Sequence, residues 1–140
     1  MYIDVSNVSI SFEENKEQHT ILNDVSLQVE KGEFICLLGP SGCGKSTLLN
    51  AMAGFLKPSS GEIKIDGQTV EKPSMKYVII FQSYGLLPWR SVQKNVELGL
   101  ETKKLGKEEK KKITDHYLEM VGLKEAAKKR PAQLSGGMQQ

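Results

Sequence analysis

Residues Gly39 to Ser46 read Gly-Pro-Ser-Gly-Cys-Gly-Lys-Ser. This string fits the pattern G-x-x-x-x-G-K-[ST], in which a glycine-rich turn wraps its backbone around phosphates. The unbroken apolar run Phe34–Leu38 precedes it and predicts a strand buried on both faces of a parallel sheet. Apolar residues at helical spacing follow over Lys45–Phe55. The string is therefore predicted to be a strand-to-helix turn of an α/β fold, and nucleotide binding is the first functional hypothesis.

Each part of this loop has a predicted role in holding phosphates. Its glycines allow positive φ, so successive N–H groups converge on an anion, and the positive end of the next helix adds to the attraction. Lys45 would reach the β- and γ-phosphates, Ser46 would bind Mg²⁺, and Thr47 would add a hydrogen bond. The alternative is a glycine-rich turn with a solvated lysine. The predicted phosphate-binding residues are Gly39, Pro40, Ser41, Gly42, Cys43, Gly44, Lys45, Ser46 and Thr47.

Three further stretches carry a resemblance to a known family. The last seven residues, Leu134-Ser135-Gly136-Gly137-Met138-Gln139-Gln140, resemble the signature motif of ABC-type ATPases. Phe81-Gln82, at the end of the predicted strand Tyr77–Phe81, resembles the glutamine loop of that family. Phe12 resembles its adenine-stacking aromatic residue, which is more often tyrosine. The resemblance covers essentially the whole chain.

The resemblance implies a composite ATP site. Two such domains would dimerise head to tail, with each ATP between the phosphate loop of one copy and Ser135, Gly136 and Gly137 of the other. It also implies that Gln82 binds Mg²⁺ or orients water, that Gln82 and Lys45 are the catalytic residues present, and that Phe12 stacks on adenine. The alternatives are an inward-facing strand residue for Phe12 and a helix-capping turn for Ser135–Gly137.

The family's second aspartate-ending strand, catalytic glutamate, D-loop and switch histidine have no counterpart here. His19 and His116 both precede the signature motif and are predicted to be solvated. The chain therefore resembles the first portion of a longer nucleotide-binding domain. Because carboxylates that hold metal and activate water are missing, we expect weak MgATP binding and negligible hydrolysis by these 140 residues alone.

Composition and charge restrict the cellular context. The longest apolar runs are far shorter than the roughly 20 residues of a membrane span, and no signal peptide is expected, because Met1 leads straight into an alternating strand. Cys36 and Cys43 are predicted to be free thiols. Residues 101–130 carry a local charge of +4, but no aromatic residues are interleaved with the lysines to stack bases. Amphipathic helices therefore explain this charge better than a nucleic-acid partner.

The predicted organisation is a partial P-loop NTPase core with an N-terminal antiparallel β-subdomain over 1–85, and a helical subdomain carrying the signature motif over 86–140. Alternating strands are expected around Val8, Ile10 and Phe12, around Val25–Val29, and over Glu62–Asp66, where Asp-Gly marks a turn. From Leu86 onward the pattern predicts short helices, with breaks at Gly122 and Pro131.

The resemblance implies the ATP-binding subunit of an importer. The run Leu86–Arg90 is similar to importers of the nitrate, sulfonate and taurine group, in which an exposed Trp89 would dock on the membrane subunit. The alternative is a tryptophan packed in the core, because so large a side chain is often mostly buried. The implied partners are a second ATP-binding subunit, transmembrane permease subunits and, indirectly, a solute-binding protein, with the chain on the cytosolic face of the membrane. Two alternatives stay open, an ABC-type DNA-repair or chromosome ATPase and a non-catalytic binding or assembly module.

Overall fold

The computed structural model describes all 140 residues, which divide between Ile79 and Ile80 into two units. The first unit, Met1–Ile79, holds the strands and the glycine loop, and the second, Ile80–Gln140, holds the remaining helices. The predicted domains, 1–85 and 86–140, stay a prediction. The observed units differ from them in placing Gln82 with the helices.

An antiparallel sheet of four strands, in the order β2-β1-β3-β4, organises the first unit. Both of its hairpins turn through two residues with positive φ, Asn15-Lys16 and Asp66-Gly67. Such turns match the twist of the flanking strands. The alternating strands predicted here are confirmed. Their bounds are β1 Ile3–Glu14, β2 Glu17–Val29, β3 Ser60–Ile65 and β4 Gln68–Thr69.

Strand β1 is irregular at Asn7, where the pairing register shifts on both of its edges. Asn7 has a φ of 50°, and its Nδ2 donates a hydrogen bond to Oδ1 of Asp24 on β2 at 2.8 Å. On the other edge, the backbone of Gly61 comes so close that a Cβ there would lie 2.3 Å from the carbonyl oxygen of Asn7. The irregular strand and the glycine therefore depend on each other.

One hydrophobic core joins the sheet to helix α1, Lys45–Met52. The helix buries Leu48 and Ala51, which lie three residues apart on one face. It ends at Met52, just before Gly54, whose φ of 79° is left-handed. The helix that follows the glycine loop is thereby fixed to the antiparallel strands. The buried members of this core are Val5, Val8, Ile10, Leu22, Leu48, Ala51 and Ile63.

Two predicted strands, Phe34–Leu38 and Tyr77–Phe81, are absent from the sheet, so these two predictions are wrong for this structure. Phe34 and Leu38 are 91% and 90% exposed, and Val78 is 85% exposed. A strand exists only where a neighbouring strand pairs with its backbone, and neither segment is paired with one. The apolar pattern shows that these residues favour a strand, but a strand forms only if the sheet offers another strand to pair with.

The second unit consists of short helices, as predicted. Helices α2 Val92–Glu97, α3 Lys107–Met120 and α4 Gly136–Gln139 are joined by turns and single 3₁₀ turns. Their own hydrophobic core is formed by Val92, Leu118, Ala126 and Leu134. No helix in the chain combines the length and the apolar character that a membrane span requires.

Replacement of Gly61 by alanine is expected to destabilise the first unit more than replacement of Gly67. Both glycines have positive φ, which costs an alanine roughly 1–2 kcal/mol, but only Gly61 faces backbone atoms closer than contact distance. We expect Gly61→Ala to lower the free energy of unfolding by about 3 kcal/mol or more. Urea denaturation followed by far-UV circular dichroism measures both variants, and equal losses would contradict the steric explanation.

Candidate nucleotide-binding site

The phosphate loop, Gly39–Ser46, runs directly into α1. Gly42 and Gly44 have φ values of 83° and 92°, a region that residues with a Cβ rarely adopt. A Cβ on Gly44 would lie only 2.6 Å from Cδ2 of Leu22 on β2. A Cβ on Gly42 would meet no atom within 4 Å, so it would stand in the open space beside the loop. Gly44 therefore allows the loop to pack on the sheet, whereas Gly42 leaves the loop accessible.

The ammonium group of Lys45 lies against the loop. Its Nζ donates to the carbonyl oxygens of Gly39 at 2.8 Å and Pro40 at 2.7 Å, and lies 3.4 Å from Sγ of Cys43. The side chain is thus folded back onto the loop and is not simply solvated. A cation kept at this position is poised to pair with a phosphate bound by the neighbouring amides.

The first turn of α1 offers further donors to an anion. The first helical hydrogen bond runs from the N–H of Leu48 to the carbonyl of Gly44 at 2.9 Å. The N–H groups of Lys45, Ser46 and Thr47 precede it and therefore have no partner within the helix. No side chain caps this end and no acidic residue lies in the first turn. The partial positive charge of the helix end is therefore left for a ligand.

These features fit the nucleotide phosphates and Mg²⁺ that the sequence implies. The loop supplies flexible glycine backbone, uncapped N–H groups and a cation within one short segment. The exposed hydroxyl of Ser46 is an oxygen donor of the kind that Mg²⁺ prefers. Neutralisation of phosphate charge by Mg²⁺ is the chemistry that the ion would supply at this loop.

Phe12 lies near the tip of the β1–β2 hairpin, paired with His19. It is 44% exposed and does not belong to the buried core. The alternative that Phe12 is an inward-facing strand residue is therefore wrong. Register shifts around Ile10 separate Phe12 from the regular alternation of Val8 and Ile10. Its stacking on adenine stays a prediction.

Gln82 and the signature residues all lie in the second unit. Gln82 is exposed in a turn in which the N–H of Tyr84 donates to the carbonyl of Phe81 at 3.2 Å. The hydroxyl of Ser135 accepts a bond from the N–H of Met138 at 3.4 Å and so caps α4, the alternative reading of this motif. Their roles toward a nucleotide stay predictions.

The core of the second unit fixes the backbone of the signature residues. Leu134 is buried and Met138 packs against the same core, whereas Ser135, Gly136 and Gly137 between them are exposed. The motif therefore presents a hydroxyl and two glycines at the surface from an anchored turn.

Tyr84 lies beside the signature motif, although no sequence pattern predicts it. A Cβ placed on Gly136 would lie 3.2 Å from the Tyr84 hydroxyl oxygen, so the turn after Gln82 reaches the signature motif within the second unit. Tyr84 itself has a positive φ of 57°. No local pattern could have revealed a contact between residues so far apart in the chain.

The cysteines and histidines are as predicted, except that Cys36 is exposed and not buried. Both cysteines are free, but Cys36 is exposed because its predicted strand is not formed. His19 and His116 are exposed, as predicted. A cavity of about 740 Å³ lies in the second unit and is lined mainly by apolar side chains such as Val92 and Leu118, with Gly137 of the signature motif also in its wall. It offers no charged group for a phosphate.

Comparison with known proteins gives one consistent result. The ABC transporter family model matches residues 22–140. The nitrate import ATP-binding protein NrtD of Synechococcus elongatus is 46% identical, over 95% of this chain and 49% of the relative. The taurine import ATP-binding protein TauB of Pseudomonas aeruginosa is 48% identical, over 95% and 51%. The bicarbonate transport ATP-binding protein CmpD of Synechococcus elongatus is 44% identical, over 99% and 51%.

The solved structures agree with this result. A dimeric, post-hydrolysis state of the ATP-binding cassette MJ0796, bound to ADP and Pi, superposes with a TM-score of 0.85 at 32% identity, covering 98% of this chain and 65% of that one. The predicted α/β P-loop NTPase fold class is thereby confirmed. The chain spans about half the length of the curated relatives it matches. On these grounds the chain belongs to the ABC transporter family.

Proposed function

We propose that this chain is the ATP-binding portion of an ABC-type importer subunit, which couples MgATP binding and hydrolysis to solute uptake through a membrane permease. The single observation that carries the proposal is the phosphate loop, in which Lys45 is held against carbonyl groups beside the uncapped start of α1. The relatives named as import or transport ATP-binding proteins support the same function.

Within this proposal, the residues of the phosphate loop together with Thr47 hold the phosphates. Ser46 supplies an oxygen ligand to Mg²⁺, Gln82 binds Mg²⁺ or orients water, and the exposed ring of Phe12 stacks on adenine. The exposed Ser135, Gly136 and Gly137 serve the ATP of a second subunit in a head-to-tail dimer. The dimeric cassette among the solved structures supports that assembly.

The proposed partners are that second subunit, the permease and, through the permease, a solute-binding protein. The chain would sit on the cytosolic face of the membrane, held there by the permease. The solute is proposed to be small and to carry an oxyanion group, since nitrate, bicarbonate and the sulfonate of taurine share that feature.

The alternative of an ABC-type DNA-repair or chromosome ATPase is not favoured. Such proteins carry long insertions between the glutamine loop and the signature motif, whereas Gln82 and Leu134 are only 52 positions apart. The intervening residues form short helices around one small core. The relatives named above are transport proteins.

We predict that Lys45→Ala weakens MgATP binding about 10- to 100-fold, because a charged hydrogen bond to phosphate contributes roughly 1.5–3 kcal/mol. Titration with a fluorescent ATP analogue, with and without Mg²⁺, measures the loss. Lys57→Ala is the matched control, since Lys57 is exposed just after α1 and outside the loop. Equal affinities for the two variants would remove Lys45 from the site.

A second pair of variants tests access to the loop. Gly42 and Gly32 both have positive φ, 83° and 90°, and a Cβ on either would meet no atom within 4 Å. The backbone strain of an alanine is thus alike at both positions. We expect Gly42→Ala to reduce MgATP affinity about tenfold, equivalent to about 1.4 kcal/mol, because its methyl group occupies space proposed for phosphate. Gly32→Ala should bind as the wild type does, and a similar loss there would point to strain instead.

We also predict that the 140-residue chain turns over no more ATP than its Lys45→Ala variant. Phosphoryl transfer needs groups that hold metal and orient water, and Ser46 and Gln82 alone supply too few of them. Release of inorganic phosphate over hours, normalised to protein, measures this. Clear turnover above the Lys45→Ala background would show that these residues suffice.

A further inference from the structure

The space beside Gly136 is taken by the side chain of Tyr84. Gly136 lies in the first turn of α4 and does not have a positive φ, so its backbone conformation does not require glycine. Glycine is also a poor helix former. A Cβ at this position would, however, lie 3.2 Å from the hydroxyl oxygen of Tyr84, which is tighter than ordinary van der Waals contact. The missing side chain of Gly136 therefore leaves room for the Tyr84 hydroxyl.

The backbone of Tyr84 is strained. Its φ of 57° lies in a region that residues with a bulky side chain rarely adopt. The next residue, Gly85, has a φ of 65° and no Cβ to strain. The turn is ordered, because the N–H of Tyr84 donates to the carbonyl of Phe81 and that of Gly85 donates to the carbonyl of Ser83. Backbone strain at an ordered residue is a common feature of functional sites.

The hydroxyl of Tyr84 forms no hydrogen bond within the protein. Tyr77, by comparison, donates its hydroxyl to the carbonyl of Lys72 at 3.1 Å. Exposure alone would not single out Tyr84, since Trp89 in the same unit is 69% exposed and so is not packed in a core. Tyr84 is only 38% exposed, yet its hydroxyl reaches the exposed signature residues. A phenol both donates and accepts, so this group remains available to a ligand.

The hydroxyl lies at the same end of α4 as the Ser135 side chain. Cα–Cβ bonds in a helix tilt toward its N-terminus, so the atom that a Cβ on Gly136 would meet lies toward that end. Ser135 is the N-cap residue there, and it is exposed together with Gly136 and Gly137. An anion in contact with Ser135 and Gly136 would thus lie within reach of the Tyr84 hydroxyl.

We infer that Tyr84 is a further ATP-binding residue, whose hydroxyl donates a hydrogen bond to a phosphate oxygen of the nucleotide held in the phosphate loop of a second copy. This inference rests on the proposed function, which places Ser135, Gly136 and Gly137 at that nucleotide. A hydrogen bond to an ionised phosphate is stronger than one between neutral groups. The strained turn after Gln82 directs the ring, and the missing side chain of Gly136 gives the hydroxyl access.

Tyr84→Phe tests the hydroxyl alone, because it keeps the ring and removes one oxygen atom. Sedimentation velocity measures MgATP-dependent pairing of the 140-residue chain. We expect Tyr84→Phe to raise the dissociation constant of the pair about tenfold or more, the effect of one hydrogen bond to a charged group. Tyr2→Phe is the matched control, since it removes the hydroxyl of a half-buried tyrosine just before β1 in the first unit. Unchanged pairing of Tyr84→Phe, or a wild type that forms no pairs with MgATP, would overturn the inference.

Mixed pairs decide which nucleotide Tyr84 binds. In one mixture, Lys45→Ala chains pair with Tyr84→Phe chains. In the other, wild-type chains pair with chains that carry both substitutions, so each mixed pair contains the same two changes. If Tyr84 binds the nucleotide of the other copy, only the first mixture has a complete site, and energy transfer between labelled chains should report tighter pairing there. Tighter pairing in the second mixture, or equal pairing in both, would overturn the inference.

A second comparison serves if Tyr84→Phe does not fold, which far-UV circular dichroism would show. The methyl group of Gly136→Ala must displace the Tyr84 hydroxyl, whereas a Cβ on Gly137 would meet no atom within 4 Å. We expect Gly136→Ala to weaken pairing more than Gly137→Ala, and the reverse order would contradict the role of the hydroxyl. Titration of ATP into wild-type chains tests the phosphate loop of a single copy. Failure there would contradict the proposed function, whereas loop binding with unaltered pairing of Tyr84→Phe would contradict this inference alone.

Discussion

The pairing of β1 on both of its edges is the interaction on which the first unit depends. Pairing with β2 and β3 holds β1 in the middle of the sheet, and the fully buried Val8 of β1 shares one core with Leu48 and Ala51 of α1. Gly44, the residue before α1, has no room for a side chain against Leu22. The N–H groups of the phosphate loop owe their direction to this packing, because a loop followed by an unanchored helix would present them in no fixed order.

Features that depend on neighbours in sequence could be predicted. Alternation gave β1, β2 and β3, the Asp66-Gly67 pair gave a hairpin, and glycine spacing gave the phosphate loop with its positive φ values. The exposure of the two histidines and the helices of the second unit could also be predicted from the local sequence pattern. In each case the physical cause, a turn preference or a hydrophobic period, acts within a few residues.

Features that depend on distant partners could not be predicted. Phe34–Leu38 has the composition of a buried strand, yet it pairs with no strand and is largely exposed. The contact of Tyr84 with Gly136 involves atoms that only the folded chain brings together. The same holds for the side chain of Asn95 on α2, whose Oδ1 accepts from the N–H of Leu87 and whose Nδ2 lies within donating distance of the Leu87 carbonyl. Asparagine in a helix gives no sequence signal of a bond to the preceding loop. Such contacts are decided by tertiary packing and not by propensity.

The two nucleotide motifs are each ordered by a core of their own. The phosphate loop is anchored through Leu48 to the sheet, and the signature residues are anchored through Leu134 and Met138 to the helical unit. Packing of each motif on its own core lowers the conformational entropy that remains to be lost when a ligand or partner binds. If ATP binds between two copies, its binding energy is then available for bringing the copies together. Under the proposed function, that energy would serve to move whole subunits and would not be spent on ordering a loop.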